Sequence, residues 1–178
     1  MRITKKIEWL LIIFVITIIC FTTYFFNYNK KRECLFIPEK IMRSKSLNNS
    51  WEIGQMFKTE LPTIIVYADS TGCTGCKLQL DVWKYFLEDI QNKCSKKINV
   101  LFILNTTEIS EINYLLLEND FKYPVVIDRT NEFGKKNNIM HDEVFIIDKK
   151  MYILHKGNPL ISEESRIKFC KYYIKEMS

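Results

Sequence analysis

Cys73 and Cys76 stand two residues apart in YADSTGCTGCKLQL, residues 67–80, after an apolar run and before a helical pattern. Three chemistries use such a pair: a redox-active dithiol, half of a zinc site, or a structural disulfide. Zinc takes four ligands, commonly as two paired sets. The remaining cysteines (Cys20, Cys34, Cys94 and Cys170) are isolated along the chain, and the two histidines, His141 and His155, form no metal-type pair. A disulfide at this spacing closes a very small loop, and small loops constrain the unfolded chain least. The dithiol reading has the most support. At the start of a helix, free N–H groups and the helix dipole favour a negative sulfur, and Lys77 adds a positive charge. Cys73 is then the attacking thiolate. Cys76, one turn further in, is suited to resolve a mixed disulfide.

The elements that must hold this pair can be read around it. TIIVYA (63–68) is a compact apolar run of the kind found in buried strands. Leu80, Trp83, Leu87 and Ile90 recur at helical spacing after the cysteines, with Lys84, Glu88 and Asp89 off the stripe. NVLFILN (99–105) is a second strand, and Thr107 is the expected cap of a helix carrying Ile109, Ile112 and Leu116. YPVVID (123–128), a polar helix near 130–138, VFIID (144–148) and MYILHK (151–156) follow. A last helix is capped by Ser162, with Ile167, Cys170 and Ile174 on one face. Trp51, Ile53 and Phe57 mark a short helix over 51–58, CLFIP (34–38) is a short apolar piece, and RSKSLNNS (43–50) reads as a loop. Alternating strands and helices predict a three-layer α/β sandwich. The tight turn at Lys149-Lys150 makes the last two strands antiparallel, so the sheet is mixed.

At 178 residues, the chain has room for one domain and an appendage. Its 47% hydrophobic and 26% charged content is globular, and a net charge of +5 without a basic-aromatic patch gives no reason to expect nucleic acid. The expected division is a basic tail at 1–6, a transmembrane signal-anchor at 7–26, a linker and extension at 27–50, and the α/β domain at 51–178. Residues 7–26 carry one charge, Glu8, and about 20 apolar residues cross a bilayer core as a helix. The segment resembles a signal peptide too, but no small-x-small cleavage site follows it. Ile18 and Ile19 stand where a lipoprotein signal needs a small residue before Cys20. Arg2, Lys5 and Lys6 on one flank balance Lys30, Lys31 and Arg32 on the other, so flanking charge leaves orientation open. The short tail before a long C-terminal domain points to an extracytoplasmic domain.

The strand TIIVYA, the Cys73-Thr74-Gly75-Cys76-Lys77 motif and the amphipathic helix after it resemble the thioredoxin fold. The pattern over 51–178 resembles the TlpA-like and peroxiredoxin-related branch, with YPVVID as its inserted strand and VFIIDKKMYILHKG as its strand-turn-strand. The resemblance implies a membrane-anchored thiol–disulfide oxidoreductase working as a reductant. Its partners would be protein dithiol or disulfide substrates and a thiol electron donor, and it would need no cofactor beyond the Cys73–Cys76 disulfide. Three positions depart from the family pattern. The proline usually found before the strand VFIID is replaced at Asp142, within His141-Asp142-Glu143. Tyr67 occupies the place of a buried acid. The Pro and Thr that precede a peroxidatic cysteine are absent apart from Thr71, which argues against peroxidase activity. A binding, scaffold or redox-sensing module is the alternative. Asp69, Lys77, His141 and Asp142 are candidate neighbours of the dithiol. Asp69 and His141 also have plain readings, as a cap and a surface-loop residue. Phe133, Met140 and Met151 are candidates for a substrate groove and equally for core. His155, Cys34, Cys94 and Cys170 read as structural or incidental, although Cys34 could cross-link two chains in an oxidising compartment.

Overall fold

A computed structural model describes residues 13–22, 33–69, 78–94 and 97–177. The chain divides into two compact units, Met1–Arg32 and Glu33–Ser178. In the first, residues 13–22 form a helix, α1, with exposed side chains. Among the described residues no helix is long and apolar enough to cross a membrane, and the expected span at 7–26 lies partly outside them.

The second unit is built on a five-stranded sheet in the order β3-β2-β1-β4-β5. Its strands are β1 (Thr63–Ala68), β2 (Asn99–Leu104), β3 (Val125–Ile127), β4 (Glu143–Ile147) and β5 (Ile153–Lys156). β1 pairs in parallel with β2, and β2 with β3, whereas β4 runs antiparallel to both β1 and β5. This is the mixed sheet expected from the sequence. Both central strands are buried along their whole length, so they read as unbroken apolar runs.

Side-chain alternation sorts these strands into two cores. Ile64, Val66 and Ala68 of β1 join Val100, Phe102 and Leu104 of β2 on one face. That face is covered by α4 (Leu80–Cys94), α5 (Ile109–Glu118) and α7 (Glu163–Met177). Ile65, Tyr67, Leu101 and Ile103 point the other way, towards α2 (Glu39–Met42), α3 (Ile53–Met56) and α6 (Glu132–Lys136). The stripe Leu80, Trp83, Leu87 and Ile90 is fully buried on α4, as its spacing predicts.

Three local expectations need correction. Ile167 and Ile174 are exposed on α7; its buried pair is Phe169 and Tyr173, one turn apart. Both faces of that helix carry apolar residues, and the larger aromatics take the core. Thr107 does not cap α5: the Thr106 hydroxyl accepts the Glu108 N–H instead, at 3.1 Å. Trp51 is exposed under Lys97, whose Nζ lies 4.0 Å from the ring centroid, while Ile53 and Met56 of the same stretch are buried. Residues 43–50 form the expected loop, and the segment they end does more than link. Leu35 and Ile41 are buried, and the segment crosses the sheet between its two edges. At the β5 side the Leu35 N–H donates to Met151 O, and the Ile153 N–H donates to Glu33 O, both at 2.8 Å. At the β3 side the Leu47 N–H donates to Val125 O, and the Val125 N–H donates to the Ser46 hydroxyl at 3.0 Å. Edge strands left open invite pairing with other chains; here both have partners.

Ser162 caps α7 as expected, its hydroxyl accepting the Ser165 N–H at 3.1 Å. The same helix meets His155 of β5, whose ring stacks on Tyr172 at 4.7 Å and meets the edge of Phe169 at 5.7 Å. Partial burial, then the charge of Lys168, holds the His155 pKa below its ordinary 6.5. The unfolded chain therefore takes up this proton more readily than the native one. Stability should be complete above pH 6.5 and fall as pH drops through that value towards the native pKa. Urea midpoints at pH 7.5 and 5.5, in the wild type and His155→Phe, test this. The acid-side drop should shrink in the variant.

Candidate functional site

The segment holding Cys73, Cys76, Lys77 and Thr71 lies outside the described residues, but both of its ends are fixed. It leaves the C-terminal end of the central strand β1 at Asp69 and rejoins the described chain at Leu78, which is buried in the core just before α4. The dithiol thus belongs to the connection between a buried strand and the helix that packs on it. The crossover is anchored again where Asn105 N–H donates to Ala68 O at 2.9 Å, continuing the β1–β2 ladder one residue past the strand.

The other side of this end of the sheet is formed by residues 139–142. β4 runs antiparallel to β1 with Glu143 opposite Tyr67, so Asp142 faces the end of β1. The Asp69 N–H donates to Asp142 Oδ1 at 2.9 Å. Two of the four candidate neighbours are therefore joined directly, one on each side of the entrance to the dithiol segment. His141, a third, is exposed beside Asp142. Met140 is 82% exposed on the same loop. The other two groove candidates do not accompany it. Phe133 is wholly buried in the core, and Met151 sits in the β4–β5 turn at the opposite end of the sheet.

Tyr67, at the place of the expected buried acid, is 1% exposed. Its hydroxyl donates to Asn131 Oδ1 at 2.7 Å, and its ring packs on Phe133 at 5.4 Å. Burial is the main cause that holds its phenol above the ordinary 10.0, so it is a neutral donor at physiological pH. Asn131 accepts in a left-handed conformation (φ 53°) at the start of α6. Gly134 makes room for this bond. A Cβ there would lie 2.6 Å from Tyr67 Oη and closer still to Asn131 Oδ1. Replacing a helical glycine with alanine ordinarily stabilises by about 0.5–1 kcal/mol. Here the sign should reverse: Gly134→Ala should cost about 1–3 kcal/mol as an overpacked site. The loss would be read from the urea midpoint, and the double variant with Tyr67→Phe should recover part of it.

Among the described residues, no three of His, Cys, Asp and Glu cluster so as to hold a metal ion. A groove of about 920 Å³ lies elsewhere, lined by Trp51, Glu88, Lys97, Lys122, Tyr123 and Pro124 among others. Burial, then the Glu88 carboxylate, pushes the Tyr123 phenol up to about 12. The groove sits where β2 and β3 begin, at the opposite end of the sheet from Asp69, so it forms no part of the dithiol site.

No protein-family model matches the sequence, and no curated protein matches it. Solved structures do resemble it. A chain from Chlorobium tepidum, assigned as the thiol:disulfide interchange protein DsbE, superposes with a TM-score of 0.57 at 11% identity, covering 75% of this chain and 91% of that one. A thioredoxin-like protein from Porphyromonas gingivalis gives 0.54 at 20% identity, over 74% and 88%. A secreted disulfide oxidoreductase of Mycobacterium tuberculosis gives 0.51 at 8%, over 78% and 99%. These likenesses establish a thioredoxin-like α/β fold with a mixed central sheet.

Proposed function

We propose that the chain is a thiol–disulfide oxidoreductase of the TlpA-like kind. In this reading it is anchored by residues 7–26, with its domain on the extracytoplasmic side, and acts mainly to reduce exported proteins. The observation that carries the proposal is the place of Cys73 and Cys76, in the connection between β1 and α4 of a thioredoxin-like fold. Two of the similar structures are a disulfide interchange protein and a disulfide oxidoreductase, which supports the same chemistry here.

The reaction balances without a cofactor. The Cys73 thiolate attacks one sulfur of a partner disulfide; a Cys73–partner bond forms and the partner's other sulfur leaves as a thiolate. Cys76, deprotonated, then attacks the Cys73 sulfur and releases the partner's second thiolate. The partner gains two electrons and two protons, and the Cys73–Cys76 disulfide remains. A dithiol donor returns it to the reduced state by the same exchange in reverse. The attack needs a lowered thiol pKa, which the sequence reading expects of a cysteine near the start of a helix.

The second reading, a binding or redox-sensing module without turnover, draws on Asp142, which stands where the resemblance calls for proline. One experiment separates the two. The protein is equilibrated in dithiothreitol buffers of graded potential, and then assayed for insulin reduction with dithiothreitol as donor. A reversible disulfide with catalytic insulin reduction supports the oxidoreductase. A reversible disulfide without turnover supports a redox-sensing module, and a pair that never oxidises overturns the oxidoreductase and leaves a binding module.

A further inference from the structure

We infer that the groove where β2 and β3 begin binds a short peptide that has both termini free and an aromatic side chain. The inference goes beyond the oxidoreductase reading and does not depend on it. The groove's volume of about 920 Å³ lies within the usual range of ligand sites, about 300–1,000 Å³. Its walls are held in place before any ligand arrives. Asn48 Nδ2 donates to Phe121 O at 2.6 Å and to Tyr123 O at 2.9 Å, and Asn49 Nδ2 donates to Lys122 O at 3.0 Å. The Trp51 N–H donates to Asn49 Oδ1 at 3.1 Å, and the Trp51 carbonyl accepts the Ser46 N–H at 2.9 Å. The stretch that carries Trp51 is thus tied to the stretch that carries Tyr123. On this frame the Trp51 side chain remains 42% exposed. A wall already ordered loses less freedom when a ligand binds.

Charge selects the occupant. The groove is lined by two cations, Lys97 and Lys122, and one carboxylate, Glu88. Lys122 pairs with Asp120 at 3.1 Å. Among the described residues neither Lys97 nor Glu88 has an ion pair, and the two do not pair with each other. Lys97 instead holds its Nζ 4.0 Å from the Trp51 ring centroid. Glu88 and Asn92 are one turn apart on α4, a rise of about 6 Å, and Lys97 lies beyond the end of that helix. A complementary ligand therefore brings an anion to one place and a cation to another. The two ends of a short peptide do this, each residue spanning at most about 3.6 Å. Its carboxylate meets Lys97 and its ammonium meets Glu88. Gln91 and Asn92 lie on the same wall of the groove, and their side-chain amides are available to its peptide groups. The exposed Trp51 indole and the Tyr123 ring offer a surface to its aromatic side chain.

A ligand-observed NMR titration of the full-length protein tests this with the tripeptide Gly-Phe-Gly, its N-acetylated form and its C-amidated form. The free tripeptide should bind saturably. Each capped form should bind about two- to fivefold more weakly, the contribution of an ion pair that water still reaches. Lys97→Gln should abolish the penalty of the amide cap alone, and Glu88→Gln the penalty of the acetyl cap alone. Each variant is compared with itself across the three peptides, so a damaged fold would remove all binding rather than one discrimination. Trp51→Ala should weaken all three, and Gly-Ala-Gly should bind the wild type more weakly than Gly-Phe-Gly does. No saturable binding of Gly-Phe-Gly, equal binding of the three forms, or discrimination unchanged in both charge variants would overturn the inference. None of these outcomes bears on the dithiol, which the insulin assay judges separately.

Discussion

Cys73→Ser should bring insulin reduction down to the uncatalysed background, and Cys76→Ser should do so by a different route. Without Cys73 there is no attacking sulfur. Without Cys76 the first step still proceeds, and the mixed disulfide between Cys73 and its partner has nothing to resolve it. The two variants therefore share an inactive phenotype but differ on a non-reducing gel. Only Cys76→Ser should carry partner proteins in dithiothreitol-sensitive adducts. Adducts that persist in Cys73→Ser would reverse the assigned roles. Adducts formed equally by a Cys73→Ser/Cys76→Ser double variant would point to one of the other four cysteines instead. Cys34 is exposed, with its Sγ 3.8 Å from Lys150 O, and Cys170 is half-buried.

Trp83→Ala should be the most damaging single truncation in the core. Trp83 is 3% exposed on the first turn of α4. It meets Phe86 and Phe102 edge-on at 5.7 and 5.6 Å; Phe86 in turn meets Phe169 of α7, and Phe102 meets Phe121. One ring thus ties the helix after the dithiol to β2, and through its neighbours to the C-terminal helix. Truncating a buried tryptophan costs about 3–5 kcal/mol, against a total stability of about 5–15 kcal/mol for a typical domain. The urea midpoint should fall by a corresponding amount. Trp83→Phe keeps an aromatic and should fall by less, which leaves a folded variant in which to ask whether a looser α4 also slows disulfide exchange.

The sequence revealed most where one element's residues decide the outcome alone. The α4 stripe repeats every three to four residues and has no competitor. The central strands are apolar throughout because both of their faces are covered. Asp142, which precedes VFIID in the sequence, stands immediately before β4 and accepts the Asp69 N–H. What could not be read depends on distant segments meeting. The Tyr67–Asn131–Gly134 group forms only because a strand meets a helix start 64 residues later; Asn131 followed by Gly134 is its only trace in the chain. Likewise α7 offers two apolar faces, and the shape of the sheet, not the helix's own pattern, selects Phe169 and Tyr173.

The segment over 33–50 has a consequence for how the domain is made. It leaves the ribosome early, yet its partners come late: Ser46 waits for Val125, 79 residues downstream, and Leu35 waits for Met151. At about 5–20 residues per second of synthesis, these bonds cannot form until seconds after their first half exists. Non-local pairings of this kind also make folding slow, because the loop must close before any contact rewards it. For that interval β2 and β3 can assemble with an open edge, and the last-made strands complete the closure. The nascent chain is then most prone to stick to its neighbours in the window between the synthesis of β3 and of β5. Once β5 has emerged, that exposure ends.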